Sequence, residues 1–272
     1  MNFGYKKLYI GGKLIDAASG QRQEIICPGS EDVVAEVAWA GTADAELALK
    51  EAQKGFKLWS GLTLAERTEW MLKLREQVLK NEDLLRKAIV FEMGKTYASA
   101  QEDIDMLTNS LEFYPEVMQN LHGETIPDRE NTHRHQIVNQ PAGVAVAYLA
   151  WNFPLLNVGY KIGPALAAGC SIIIKPSERS PLSALVLGEI MAEMDFPAGV
   201  VNFICGDVEE VALPMTKSKI PKVITMIGSS RSGRNVIRDS ATSIKHLSME
   251  LGGNAPFIVF PDADLNAAVE TG

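Results

Sequence analysis

The spacing of apolar positions changes twice along this chain. Two short apolar stretches, Leu8-Tyr9-Ile10 and Leu14-Ile15, flank Gly11-Gly12, and that arrangement predicts a small β-hairpin. Helical spacing then takes over. Thr63-Leu64-Ala65-Glu66 has the form of a capping box, in which hydroxyl and carboxylate satisfy N–H groups that a helix start leaves free. Behind it Met71, Leu74 and Val78 recur at helical spacing, a second helix begins at Asn81, and Gly94 ends it. From Ala98 to Leu121 an amphipathic stretch runs through Pro115, where the missing backbone donor predicts a kink or break. Residues 1–123 are therefore read as mainly helical.

Between 124 and 141 the chain turns polar, with Pro127-Asp128-Arg129-Glu130-Asn131 followed by the alternating run His135-Gln136-Ile137-Val138-Asn139. An exposed strand in an arm or linker suits that pattern. After Pro141 a new rhythm starts and continues through 142–272. Short apolar strands are predicted at Gly143 to Leu149, Ser171 to Ile174, Val200 to Ile204, Lys222 to Ile227 and Pro256 to Phe260. Helices separate all five, ending near Ala168 and running over Pro181 to Met194, Val208 to Met215 and Ser230 to Asp239, with another from Asp264 to Thr271. Strands alternating with helices predict a parallel sheet covered on both faces, and such sheets bind ligands outside the carboxyl ends of their strands. Those ends fall at Ala150-Trp151-Asn152, Lys175-Pro176-Ser177-Glu178, Cys205-Gly206-Asp207 and Gly228-Ser229-Ser230.

Composition narrows the function classes. The net charge is -8 with the basic residues scattered, so nucleic acid is not an expected partner. No apolar run approaches membrane-spanning length and the first residues lack a signal-peptide segment, which makes a cytoplasmic location the expectation. The three cysteines, Cys27, Cys170 and Cys205, are too far apart for a local metal site and give no disulfide framework. His133 and His135 have no acidic or cysteine partner at ligand spacing and are read as solvent-facing.

Four groups at or near the strand ends offer chemistry. Gly228-Ser229-Ser230-Arg231-Ser232-Gly233 follows a strand and opens a helix, so its N–H groups suit a pyrophosphate at the positive end of the helix dipole. Lys175 and Glu178 flank Pro176, and a cation with a carboxylate three residues on suits the two hydroxyls of a ribose. Asn152, between Trp151 and Phe153, has an amide able to donate to a developing oxyanion. Glu250, in Ser248-Met249-Glu250-Leu251-Gly252-Gly253, sits in an apolar strand of the kind that raises a carboxylate's pKa towards that of a general base. Each group has a plainer reading. Small residues make strand-to-helix turns without a ligand, Lys and Glu pair at many loop tips, asparagine caps turns, and a strand carboxylate can serve a structural ion pair.

Taken together, Trp151-Asn152-Phe153-Pro154, Gly163 to Gly169, Lys175 to Glu178, Gly228-Ser229 and Glu250-Leu251-Gly252-Gly253 resemble the aldehyde dehydrogenase superfamily in order and spacing. The resemblance runs from near Leu8 to the last residue. It implies an α/β fold: a Rossmann-like parallel sheet with helices on both faces, preceded by a mainly helical N-terminal segment and a β arm. It implies NAD(P)-dependent oxidation of a small-molecule aldehyde to a carboxylic acid, with Asn152 as the oxyanion amide and Glu250 as the general base. The cofactor-binding positions would be Trp151, Asn152, Lys175, Ser177, Glu178, Gly206, Gly228, Ser229 and Leu251, with Lys161 behind them. Glu178 would repel a 2′-phosphate, which favours NAD over NADP. The segment 124–141 would be an arm for a homo-oligomer.

In the family the nucleophilic cysteine follows the Glu-Leu-Gly-Gly motif. No cysteine follows Glu250 here, and Cys170 and Cys205 fall on positions of the nucleotide fold. The expectation is a truncated, catalytically inactive portion of such an enzyme, with a non-catalytic nucleotide-binding or assembly module as the alternative. Within the superfamily, Leu251 to Phe260 looks most like the succinate-semialdehyde dehydrogenase branch. One departure is Tyr160, which stands where that branch usually has the arginine that binds a substrate carboxylate.

Overall fold

The structure, a computed structural model, describes residues 1–271. The first forty residues are β rather than helical: β1 (Tyr5–Lys6), β2 (Leu8–Ile10), β3 (Lys13–Ile15), β4 (Arg22–Ile26) and β5 (Val33–Ala38) precede any helix. β2 and β3 form the expected hairpin, pairing Leu8 with Ile15 and Ile10 with Lys13. β1, β5 and β4 make a separate small sheet that the helical reading of this region passed over. Four helices follow, α1 (Thr42–Trp59), α2 (Leu64–Lys80), α3 (Glu82–Met93) and α4 (Gln101–Gln119). The capping box at Thr63 and Glu66 opens α2, and Gly94 closes α3 in the left-handed conformation, φ 78°.

The expected break at Pro115 is absent, since α4 runs through it as one helix. Packing accounts for this. Gly159 and Gly163, one turn apart on the next helix, let it approach α4 so closely that Cβ atoms there would lie 2.8 Å from Leu107 Cα and 2.7 Å from Tyr114 Cδ2. Contact of that intimacy offsets the one hydrogen bond that proline removes.

The arm is a hairpin of β6 (Glu124–Pro127) and β7 (Arg134–Ile137), exposed along both strands. The remainder is β8 (Val144–Tyr148), α5 (Pro154–Ala167), β9 (Ser171–Lys175), α6 (Leu182–Glu193), β10 (Val201–Phe203), α7 (Leu213–Lys217), β11 (Pro221–Gly228), α8 (Ser230–Ser240), β12 (His246–Leu251) and α9 (Leu265–Thr271). The predicted helix from Val208 begins instead with a π-helical turn over Val208–Ala212 that runs into α7. The predicted strand Pro256 to Phe260 is irregular. It has no neighbouring strand to complete its backbone hydrogen bonds, and the sheet ends at β12.

The central sheet has the order β12-β11-β8-β9-β10-β2-β3, parallel from β12 to β10 and closed by the antiparallel hairpin. Alternate residues feed two cores. Ala145, Ala147, Ile172 and Ile174 join the cluster under α2 to α6, while Val144, Val146, Tyr148 and Ile173 join the cluster under α1 and α7. Burial on both faces makes these strands continuous apolar runs. From β8 the chain winds outward through β9 and β10, then returns to place β11 on the other side of β8. The crevice between β8 and β11 is thus a topological switch point, where α/β sheets take ligands.

Candidate functional site

A cleft of about 860 Å³ opens at that switch point. Three of the four expected strand ends line it: Ala150-Trp151-Asn152, Lys175 to Glu178, and Gly228-Ser229. Glu250, Leu251 and Gly252 enter from the end of β12. Gly206 does not line it. A Cβ on Gly206 would lie 2.3 Å from the Ala40 carbonyl oxygen, so this glycine serves the crossing of two chain segments. The opposite wall is Val208, Ala212, Leu213 and Thr216, followed by Asn235, Val236 and Asp239 of α8. Sequence reading missed that wall, whose residues lie on helices and not at the strand ends to which the ligand rule points. The only signal available was the apolar spacing of the segment itself.

Each side chain has a local cause for its position. Lys175 ends a fully buried strand, so its side chain is only 5% exposed, and it pairs with Glu178, which reaches the surface. Ser177 bends the loop between them, its hydroxyl accepting from the Arg179 N–H at 3.2 Å. α8 begins at its own cap, with Ser229 Oγ accepting from the Ser232 N–H at 3.1 Å. Gly233, a turn later, admits Leu251, since a Cβ there would sit 2.7 Å from Leu251 Cδ1. That contact fixes α8 against β12 and holds the α8 N-terminus over the cleft.

The loop carrying Asn152 leads into α5, whose N-cap Phe153 offers no side-chain bond. Trp151 and Asn152 are exposed to the cleft. Glu250 is not enclosed as expected from its apolar surroundings in sequence, because its side chain is 62% exposed. Its neighbour is Lys161 of α5, Nζ to Oε2 3.9 Å. Burial lowers the Lys161 pKa, and the charge of Glu250 works against that shift.

None of the three cysteines lines the cleft. All are buried. Enclosure pushes the Cys205 thiol up to about 12, with Lys175 acting in the other direction. No helix among the described residues is long and apolar enough to cross a membrane, and none of their acidic, histidine and cysteine side chains gather in threes to hold a metal.

Sheet order, switch-point cleft and small-residue helix start define an α/β protein of the doubly wound class. The chain belongs to the Aldehyde dehydrogenase family, which it matches over residues 14–272. A glutarate-semialdehyde dehydrogenase of Pseudomonas putida is 37% identical over 265 residues, 97% of this chain and 55% of that protein. The NADP(+) succinate-semialdehyde dehydrogenase of Escherichia coli is 34% identical over 269 residues, 99% of this chain and 56% of that protein. Among solved structures, a 3,6-anhydro-L-galactose dehydrogenase in complex with NAP matches with a TM-score of 0.93 at 35% identity, over 98% of this chain and 56% of that one. A betaine aldehyde dehydrogenase from Staphylococcus aureus in complex with NAD+ gives 0.92 at 31% identity, over 97% of this chain and 53% of that one. The chain therefore spans a little over half the length of these relatives.

Proposed function

We propose that this chain is the cofactor-binding portion of an NAD-dependent aldehyde dehydrogenase, supplying the dinucleotide site, the oxyanion amide and the general base but not the nucleophilic sulfur. The observation that carries the reading is the single cleft shared by Trp151-Asn152, Lys175 to Glu178, Gly228-Ser229 and Glu250. A dinucleotide fits the donors present. Lys175 and Glu178 suit the hydroxyls of the adenosine ribose, with Ser177 and Leu251 beside them. The N–H groups at the start of α8 suit the pyrophosphate, because that N-terminus is open to the cleft and its dipole favours an anion. Glu178 disfavours a 2′-phosphate by charge, which supports NAD over NADP. The arm of β6 and β7 would serve a homo-oligomer.

NAD held by Lys175, Glu178 and the start of α8 would supply the hydride acceptor for oxidation of the aldehyde. This chain's residues act around that transfer. The Asn152 amide donates to the carbonyl oxygen as it gains negative charge. Glu250 accepts a proton from the water that releases the acid. Covalent catalysis also needs a thiolate, and a fully buried Cys205 with a raised pKa cannot provide one. The chain alone is therefore expected to bind cofactor without turning over aldehyde. That same lack of a thiol at the cleft supports a second reading, a module that works by nucleotide binding alone.

Calorimetric titration tests the proposal. NAD should bind and NADP should bind at least about tenfold more weakly, a difference of about 1.4 kcal/mol, and Glu178→Gln should narrow that gap. Incubation with NAD and a panel of aldehydes should yield no NADH. Equal affinity for the two cofactors would remove the role given to Glu178, and robust turnover would refute the missing nucleophile.

A further inference from the structure

Of the three helices that follow the loops after β8, β9 and β11, only α8 caps itself. The N-termini of α5 and α6 are closed by carboxylates from the N-terminal helices instead. Asp103 of α4, fully buried, accepts from the Leu155 and Leu156 N–H groups through Oδ1, both at 3.0 Å. Its other oxygen holds Lys95 Nζ at 2.7 Å, and that ammonium lies 3.6 Å from the centroid of the Phe153 ring. Glu92 of α3 does the same for α6, accepting from Leu182 and Ser183 at 2.6 and 3.2 Å. A carboxyl oxygen at a helix N-terminus satisfies N–H groups that the helix itself leaves free.

We propose that Asp103 and Lys95 are positioning residues for the cleft, acting through Phe153 and the start of α5 to fix the Trp151-Asn152 loop. Three contacts converge on that loop. The carboxylate holds the backbone just after it, the ammonium grips the ring of Phe153 beside Asn152, and the close α4–α5 packing at Gly159 and Gly163 makes the two helices one unit. The second consequence concerns backbone donors. With carboxyl oxygens of Asp103 and Glu92 already taking the first N–H groups of α5 and α6, the start of α8 is the one of the three left for a ligand. Neither residue lines the cleft, so both act through the loop.

The inference rests on the dinucleotide reading above, and ligand fragments separate the two. Affinities of NAD, nicotinamide mononucleotide and AMP are measured by calorimetry for the native chain, Asp103→Asn, Lys95→Met and the charge-conserving Asp103→Glu, beside thermal unfolding. On that reading Asn152, as the oxyanion amide, would lie on the nicotinamide side and Lys175 with Glu178 on the adenosine side. Asp103→Asn and Lys95→Met should therefore weaken NAD and nicotinamide mononucleotide by roughly tenfold, the size of one charge-assisted bond. AMP affinity should stay within about twofold, and Asp103→Glu should recover part of the loss. Lys95→Met retains both backbone bonds to Asp103 and answers the question if Asp103→Asn does not fold. Equal weakening of all three ligands, or of none, would overturn the positioning role and leave the binding site standing. A native chain that binds neither NAD nor AMP would overturn the site, and this inference with it.

Discussion

The middle of the central sheet and the segment after β12 are built from similar residues and end in opposite states. Ile172, Ile173 and Ile174 of β9 are buried between β8 and β10 with helices above and below. Phe257 and Phe260 are 62% and 68% exposed, with Ile258 and Val259 exposed between them. Leu265 and Val269 of α9 are likewise exposed. An apolar run becomes a strand only when neighbours take its N–H and C=O groups and cover its faces. β9 has both. The later run has neither, and an exposed apolar stretch of this extent marks an interaction surface.

Substitutions on the two sides sharpen that contrast. The largest effect is expected in the sheet. Ile174→Ala should cost about 2–5 kcal/mol, the range for emptying a well-packed site, as read from urea unfolding. A cost below about 1 kcal/mol would mean that β9 is not the packed centre described here.

An intermediate effect is expected where the packed body depends on distant carboxylates. Burial pushes Glu92 from its ordinary 4.5 up to about 8, against the lowering effect of the Ser183 and Leu182 N–H groups. Between those values the folded chain keeps the proton and the unfolded chain releases it, so stability falls as pH rises through the window. The contribution is fully present below about 4.5 and lost by about 8, with a slope of at most about 1.4 kcal/mol per pH unit. Glu92→Gln, which does not titrate, should lack this component. Urea midpoints from pH 5 to 9 check it, and a constant difference between variant and native chain would show that Glu92 does not titrate there.

The smallest effect on stability belongs to the exposed run. Phe257→Ser with Phe260→Ser should change unfolding free energy by less than about 0.5 kcal/mol, while reducing self-association in light scattering. A large loss of stability would mean that these rings are packed after all.

Much of this architecture was legible locally. The parallel strands show as apolar runs because both faces are buried, Gly11-Gly12 marks the hairpin, and Thr63 with Glu66 marks the start of α2. The cleft loops followed from one rule about strand ends, and three of the four meet. Features that depend on distant partners were not legible. Asp103 and Glu92 serve N–H groups 52 and 90 residues away, and nothing near either one signals its partner. Local reading also allowed a break at Pro115, which packing on α5 prevents, and placed a strand over Pro256 to Phe260, where the absence of a neighbouring strand decides. Gly206, expected at the cofactor from the family resemblance, is not among the residues lining the cleft and instead lies against Ala40. The enclosure expected for Glu250 needed surroundings that its own strand does not provide.

Backbone hydrogen exchange with and without saturating NAD reads the shared cleft loop by loop. New protection is expected only at Ala150 to Asn152, Lys175 to Glu178 and Gly228 to Ser232, with no change in the arm or after Gly252. Protection that appears elsewhere, or that spares the start of α8, would contradict a dinucleotide site in that cleft.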